Sequence, residues 1–230
     1  MTGIGSTKRP ASGAEPVVSL QGVAVSIGQT PVLESVDLTV PAGQAIGVVG
    51  ANGSGKSTLL QACATILRPT RGSGQVLGVD VARRSPAEVR RRICLIGHQP
   101  ALYPRLSLRE NLKFVADLYG RPDRLVEEAL DMIGLARAAD RRVERCSQGM
   151  ARRADLARAM ITDPLLLLLD EAHSGLDAAA ADLVGHLVDR VRERGGAAML
   201  ASHELDRLDA IVDDVVELRT GRLVSRDPQP

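Results

Sequence analysis

A glycine-rich segment at residues 50–58, Gly-Ala-Asn-Gly-Ser-Gly-Lys-Ser-Thr, constrains the fold more than any other part of the 230-residue sequence. Its three glycines allow backbone angles that other residues rarely adopt. The β-branched, apolar run Ala45–Val49 precedes the segment, and apolar residues at helical spacing follow it from Leu59 to Leu67, where Pro69 closes the pattern. The order strand, glycine-rich loop, helix predicts an α/β core with the loop at the carboxyl end of a strand.

The same segment matches the pattern G-x-x-x-x-G-K-[ST], in which backbone N–H groups surround phosphates. In such a loop the lysine, here Lys56, reaches the β- and γ-phosphates, and the hydroxyl of Ser57 binds Mg²⁺. The strand before the loop and the helix after it provide the structural context that the pattern requires. The candidate nucleotide-binding residues are Gly50, Ala51, Asn52, Gly53, Ser54, Gly55, Lys56, Ser57 and Thr58.

A second candidate element is the leucine run 165–169, which Asp170 and Glu171 follow directly. The run predicts a buried strand, and ligand sites in open α/β sheets lie at the carboxyl ends of strands. Asp170 is the candidate Mg²⁺ ligand, and Glu171 is the candidate group that orients or deprotonates an attacking water.

Residues 146–150, Cys-Ser-Gln-Gly-Met, begin a predicted helix that runs to about Thr162. Together with the following Ala-Arg-Arg-Ala-Asp-Leu-Ala-Arg-Ala, they resemble the signature motif of the ABC ATPase family, in which Ser147 and Gly149 keep the two best-defined positions. Ser147 can cap the helix, which leaves N–H groups and a positive dipole end free for a phosphate. Gln148 lies between these two residues.

Two further segments extend the resemblance over residues 17–224. Ser-Gly-Leu-Asp at 174–177 resembles the D-loop, and His203 in Ala-Ser-His-Glu resembles the switch histidine that contacts the γ-phosphate in the family. The resemblance implies ATP and Mg²⁺ as ligands and two subunits paired head to tail. In that pairing ATP binds the glycine-rich loop of one subunit and the signature of the other. The D-loop, with Asp177 as a candidate nucleotide-binding residue, passes information between the two subunits.

The family resemblance also implies an α/β fold with a P-loop core, an N-terminal antiparallel β portion and a helical subdomain. We expect the ATP-binding domain at 17–226 and the helical subdomain at about 85–158. Short tails at 1–16 and 227–230 flank the domain, and the first is expected to be disordered because it consists mainly of Gly, Ser, Thr, Ala and Pro.

Two positions depart from the family pattern. The family has an aromatic residue that stacks on adenine after the first strand, whereas this chain has Ile27, which offers apolar contact without stacking. Strict selection of ATP over GTP is therefore not predicted. In the Q-loop, register puts His98 at the position of the glutamine that contacts Mg²⁺ and water, and Gln99 is the competing candidate. It also stays open that neither residue touches the site.

These local sequences suggest export as the process that ATP drives. The Gly-His-Gln-Pro string at 97–100 resembles the ATPase of the haem exporter used in cytochrome c maturation. The signature with Met150 resembles instead the small exporters of drugs, lipids or polysaccharides. In either case the resemblance implies transmembrane permease subunits as partners, with this chain as a peripheral protein on the cytoplasmic face of the cell membrane.

Composition limits the remaining alternatives. Lys and Arg number 29 against 28 Asp and Glu, so no basic surface field predicts binding to nucleic acid. The rival class is a non-transport ABC ATPase that acts on DNA or ribosomes, and such proteins carry a second cassette or a long coiled-coil insertion that this sequence does not show. Three widely spaced cysteines indicate neither a disulfide framework nor a zinc site.

Overall fold

Two β-sheets and six α-helices make up the part of the chain that the structure describes. The computed structural model describes residues 15–83, 86–171, 178–203, 208 and 210–224, with the backbone alone at 178–181. The strands are β1 (Val18–Ile27), β2 (Thr30–Val40), β3 (Ala45–Val49), β4 (Arg71–Val76), β5 (Val79–Asp80), β6 (Ile93–Ile96), β7 (Leu166–Asp170), β8 (Ala197–Ser202), β9 (Asp214–Arg219) and β10 (Arg222–Val224). The helices are α1 (Lys56–Cys63), α2 (Ala87–Arg90), α3 (Leu108–Tyr119), α4 (Arg124–Met132), α5 (Gln148–Thr162) and α6 (Ala178–Glu193).

The two sheets differ in strand direction. The first is antiparallel, with the order β2-β1-β4-β5. The second has the order β10-β9-β3-β8-β7-β6 and is parallel from β9 to β6, while β10 pairs antiparallel with β9. This arrangement confirms the predicted α/β fold class with an antiparallel β portion formed largely by the N-terminal strands.

The larger sheet divides the core into two apolar layers. Successive residues of a strand point to opposite faces, so every second residue joins the same layer. Leu167 and Leu169 pack on one face with α3, α4, α5 and α6. Leu166 and Leu168 pack on the other face with α1 and the antiparallel sheet. Because both faces are covered, β7 is apolar from Leu166 to Leu169, as the sequence indicates.

The structure corrects the predicted end of the first helix. The apolar spacing extends to Leu67, but α1 ends at Cys63, and Thr65 adopts a left-handed backbone conformation with φ of 59°. Ile66, which the helical pattern places on the buried face, is 63% exposed. Strands β4, β5, β9 and β10 were also not predicted, because they are short or irregular in sequence and are stabilised by pairing with distant strands.

Two further predictions concern the membrane and the cysteines. Within the part of the chain that the structure describes, no helix has the length and apolar character needed to cross a bilayer. All three cysteines are free. Burial raises the pKa of the Cys63 thiol to about 12.

The antiparallel sheet contains a close backbone contact that can be tested with a matched pair of glycines. We expect Gly72→Ala to lower the free energy of unfolding more than Gly78→Ala. Both glycines have left-handed φ angles, +83° and +76°, so both variants carry the cost of about 1–2 kcal/mol for a Cβ in that region. Only at Gly72 would the new Cβ lie 2.3 Å from a backbone oxygen, that of Gly22, whereas Gly78 has no neighbour within 4 Å. Urea denaturation measures both losses, and equal values would contradict the expectation.

Candidate functional site

The candidate residues meet at one edge of the parallel sheet. Strands β3, β8, β7 and β6 are adjacent and parallel, so their carboxyl ends lie side by side. Val49 pairs with Ser202, and Asp170 pairs with Ala201. The glycine-rich loop, His203, the acidic pair and the loop 97–101 therefore leave the sheet at nearly the same level.

The glycine-rich loop joins β3 to α1 by a route that only glycine permits. Gly50 and Gly55 have φ of 155° and 106°, and a Cβ at Gly50 would lie 2.3 Å from the carbonyl oxygen of Leu218. Lys56 is buried, and its Nζ donates to the carbonyl oxygens of Gly50 (2.7 Å) and Ala51 (3.1 Å). The loop thus curves around the ammonium group, and binding of phosphate by Lys56 stays a prediction.

Exposure within this loop differs by position. The exposed residues are Ala51, Asn52, Gly53 and Ser57, and the buried ones are Ser54, Gly55, Lys56 and Thr58. The exposed stretch leaves backbone N–H groups accessible to an anion at the N-terminus of α1, where the helix dipole favours negative charge.

The acidic pair and His203 form the chemically reactive part of this edge. Asp170 is buried at the end of β7, and Glu171 follows it with a left-handed φ of 55°. His203 Nδ1 lies 3.0 Å from Glu171 Oε2. Left-handed backbone is uncommon for a residue with a side chain and is concentrated at functional sites. The carboxylate and the imidazole can together hold a water molecule or exchange a proton.

The donor atoms at this edge fit Mg²⁺ rather than a softer metal. Ser57 supplies a hydroxyl and Asp170 a carboxylate, and Mg²⁺ binds oxygen ligands while keeping several waters. Among the described residues no group of three or more His, Cys, Asp and Glu could hold a metal ion. A magnesium ion at Ser57 and Asp170 would therefore need phosphate oxygens to complete its coordination.

The loop after β6 carries the two Q-loop candidates. His98 and Gln99 are both exposed. The two ends of the loop are held: the carbonyl oxygen of Gly97 accepts from Arg152, and the N–H of Ala101 donates to Asp155 Oδ1 at 3.2 Å. The backbone of the loop thus joins the site, while the choice between His98 and Gln99 stays a prediction.

Two other candidates lie further from this edge or outside the described chain. Ile27 ends β1 before the turn at Gly28 and is 54% exposed, so its apolar surface is free to contact a ligand. Asp177 lies outside the described residues.

The signature segment begins α5, as predicted. Ser147 is the N-cap residue, and its Oγ accepts from the N–H of Met150 at 3.2 Å. Ser147 and Gln148 are exposed, and Gly149 is half-buried. Helix α5 packs against α3, α4, α6 and β6, whereas α1 packs against β1, β2, β7 and β8. The signature helix and the glycine-rich loop's helix therefore lie on opposite faces of the larger sheet.

The sequence analysis missed Arg152, which reaches the site from α5. Its guanidinium donates to the carbonyl oxygens of Gly97, Asp170 (2.9 Å) and Glu171 (3.1 Å). Burial lowers the pKa of Arg152 and raises that of the fully buried Asp155, one turn further along α5. The sequence did contain a signal for this pair. Arg152 and Asp155 lie three positions apart on a helix face that is otherwise rich in alanine and leucine, and charged residues are buried mainly when they are paired.

Comparison with known proteins agrees with this geometry. Residues 33–174 match the family model described as ABC transporter. The chain is 32% identical to the ABC transporter ATP-binding protein NatA of Bacillus subtilis, covering 84% of this chain and 80% of NatA. It is 34% identical to the daunorubicin/doxorubicin resistance ATP-binding protein DrrA of Streptomyces peucetius (90% of this chain, 64% of DrrA). It is 35% identical to the phosphate import ATP-binding protein PstB 2 of Natronomonas pharaonis (94% and 81%).

Solved structures share the fold. The ATP-binding subunit of an ABC transporter superposes with a TM-score of 0.82 at 26% identity, covering 92% of this chain and 89% of that one. The ATP-binding cassette MJ0796, bound to ADP and Pi, superposes with a TM-score of 0.82 at 23% identity, covering 91% and 97%. With the family model matched over more than half of the chain, this protein belongs to the ABC transporter family as an ATP-binding domain and is an ATP hydrolase of the ABC type.

Proposed function

We propose that the edge formed by β3, β8, β7 and β6 is the site of ATP hydrolysis. The observation that carries this proposal is the 3.0 Å contact between Glu171 and His203 at the same edge as the glycine-rich loop. Phosphoryl transfer depends on positioning and charge neutralisation, and the groups found here provide both. Lys56 binds the β- and γ-phosphates, Glu171 orients the attacking water and accepts its proton, and His203 holds Glu171 and contacts the γ-phosphate.

Ser57 and Asp170 hold the magnesium ion that accompanies the nucleotide. The bound ion neutralises charge on the β- and γ-phosphate oxygens. Asp170 is buried at the end of a central strand, so its position relative to the glycine-rich loop is fixed by the sheet. His98 or Gln99 contacts the ion or the water from the loop 97–101. Ile27 covers one side of the base without stacking on it, so both ATP and GTP are accepted.

The complete site requires two subunits. A helix N-terminus capped by Ser147 is suited to a phosphate, but α5 lies on the sheet face opposite to α1. The signature of one chain is therefore poorly placed for the nucleotide on its own loop, and a head-to-tail partner can supply it. Ser147, Gln148, Gly149 and Asp177 then contact the nucleotide of the second ATP-binding subunit.

A cavity beside the site is suited to the permease. It has a volume of about 460 Å³ and lies between β6 and α3. Its apolar lining includes Phe114 and Tyr103, whose rings pack edge to face at 5.3 Å, and the half-exposed Leu118. Ala101, which also lines the cavity, is part of the loop held by Asp155. An apolar segment of the transmembrane subunit docked here would contact the loop that leads to the site.

For the transported molecule we propose a chemical class. We favour export of a drug-like molecule, because DrrA is named for resistance to daunorubicin and doxorubicin. Lipid or polysaccharide export is the alternative, and the Gly-His-Gln-Pro string is the only support for haem export in cytochrome c maturation. Action on DNA or ribosomes is disfavoured by the nearly balanced charge. In each transport case the permease holds the chain at the cytoplasmic face of the membrane.

Glu171→Gln should retain ATP binding and lower hydrolysis by about 100-fold or more, because the amide keeps the shape but cannot accept the proton. Phosphate release and binding of a fluorescent ATP analogue measure the two properties. Glu88→Gln, an exposed glutamate on α2, is the matched control and should hydrolyse ATP normally. Near-normal turnover of Glu171→Gln would remove Glu171 from its proposed role.

Gly149→Asp tests whether the site is shared between subunits. The added carboxylate lies where a phosphate of the partner's nucleotide should bind, so the variant should bind ATP normally, remain monomeric and lose turnover. Lys56→Ala should be inactive for a different reason, the loss of phosphate contact. A mixture of the two chains has one complete site and should regain activity. A mixture as inactive as its components, or normal hydrolysis by Gly149→Asp alone, would contradict the shared site.

Phe114→Glu tests the permease surface. A charge in the cavity should reduce stimulation of ATP hydrolysis by the permease and reduce drug export from cells. Hydrolysis by the isolated chain should stay unchanged. Met132→Glu is the control, since Met132 is an exposed apolar residue on α4, 57% exposed against 41% for Phe114, and does not line this cavity. Equal effects of the two variants would contradict docking at the cavity.

A further inference from the structure

A buried ionic cluster connects the signature helix to the site. Its members, all on α5, are Arg152, Asp155 and Arg158. Asp155 has no exposed side-chain surface, and its Oδ1 accepts from Arg158 Nε at 2.6 Å and from the N–H of Ala101 at 3.2 Å. Arg152 Nη1 lies 3.9 Å from Asp155 Oδ2, and the Arg152 side chain is 6% exposed.

Burying this cluster costs desolvation free energy, and its hydrogen bonds show which backbone segments it holds. Hydrogen bonds offset the desolvation of two arginines and an aspartate only in part here, because Arg152 Nε and Asp155 Oδ2 have no hydrogen-bond partner among the described residues. Arg152 places its two terminal nitrogens on backbone carbonyls that belong to two separate segments. Nη1 donates to the carbonyl of Gly97, and Nη2 donates to the carbonyls of Asp170 and Glu171.

The contacts of Nη2 fix the backbone of one residue in particular. The carbonyls of Asp170 and Glu171 belong to the two peptide groups that flank the Glu171 Cα. Holding both groups restricts φ and ψ of Glu171, whose φ of 55° is in the left-handed region. That region is unfavourable for a residue with a side chain. The direction of the Glu171 carboxylate, and its 3.0 Å contact with His203, follow from this backbone conformation.

Through Nη1, Arg152 also holds the loop 97–101. Gly97 is held by Arg152, and Ala101, at the other end of the loop, is held by Asp155. A planar guanidinium can serve several acceptors in fixed directions, which a lysine ammonium on a flexible stem cannot do. Both ends of the loop 97–101 are thus hydrogen-bonded to α5, the helix that also holds the backbone of Glu171.

We propose that Arg152 is a positioning residue for hydrolysis, which holds Glu171 in its left-handed conformation and fixes it relative to the loop 97–101. This inference rests on the proposed role of Glu171. Arg152 is buried and its terminal nitrogens donate to backbone carbonyls, so its removal should affect the rate of the chemical step and leave nucleotide binding unchanged.

The experiment compares Arg152→Lys and Arg152→Gln with Arg153→Gln in the full chain. Arg153 is the matched control because it lies on the same helix and also donates to a backbone carbonyl, that of Ile133 at 3.1 Å, in the helical region. Both Arg152 variants should lower kcat about tenfold or more, since small displacements of a catalytic group have effects of this order, with KM and the affinity for a non-hydrolysable ATP analogue unchanged. Arg153→Gln should keep kcat within about threefold, the scale expected for a residue outside the site.

A double-mutant cycle separates positioning from other roles. If Arg152 acts through Glu171, then Arg152→Lys should cause no further loss in a Glu171→Gln background when residual hydrolysis is measured with enzyme in excess. Equal losses in both backgrounds, unchanged kcat, or a loss matched by Arg153→Gln would overturn the proposal. Arg152→Lys keeps the buried charge and is assayed well below its unfolding temperature. If neither Arg152 variant folds, Arg152 is required for the fold and the positioning role is overturned. Normal turnover of Glu171→Gln would instead overturn the proposed function.

Discussion

The parallel pairing of β3, β8, β7 and β6 is the constraint on which the rest of the structure depends. Parallel strands end at one edge, so four segments that are distant in sequence meet at the same edge of the sheet. Backbone hydrogen bonds and the two apolar layers fix the relative height of these segments. The side chains that bind phosphate or water then need only short, local adjustments, such as the left-handed backbone at Glu171.

The parts that sequence analysis predicted correctly are those whose signal is local. The glycine-rich loop, the leucine run of β7 and the cap at Ser147 each depend on residues that are close together in sequence. The predicted end of α1 was wrong because the apolar spacing continues past Cys63, while the backbone turns left-handed at Thr65. The helical spacing of apolar residues alone cannot show which of them are buried in the folded protein.

Arg152 could not be assigned from sequence because its partners are backbone carbonyls. Every residue carries the same backbone carbonyl, so no sequence motif identifies Gly97, Asp170 and Glu171 as acceptors for one guanidinium. The structure buries the Arg152 side chain at the carboxyl edge of the sheet. Residues that act by holding the backbone will in general be found from coordinates, and motif positions from sequence.

The internal hydrogen bonds of Lys56 have a consequence for the kinetics of the ATPase cycle. The ammonium group donates to the carbonyl oxygens of Gly50 and Ala51, which offset part of the cost of burying it. If Lys56 binds phosphate as proposed, these bonds would be exchanged for bonds to phosphate oxygens and would form again when phosphate leaves. The two carbonyls would then lower the free-energy cost of product release, because the departing phosphate leaves the ammonium group with acceptors.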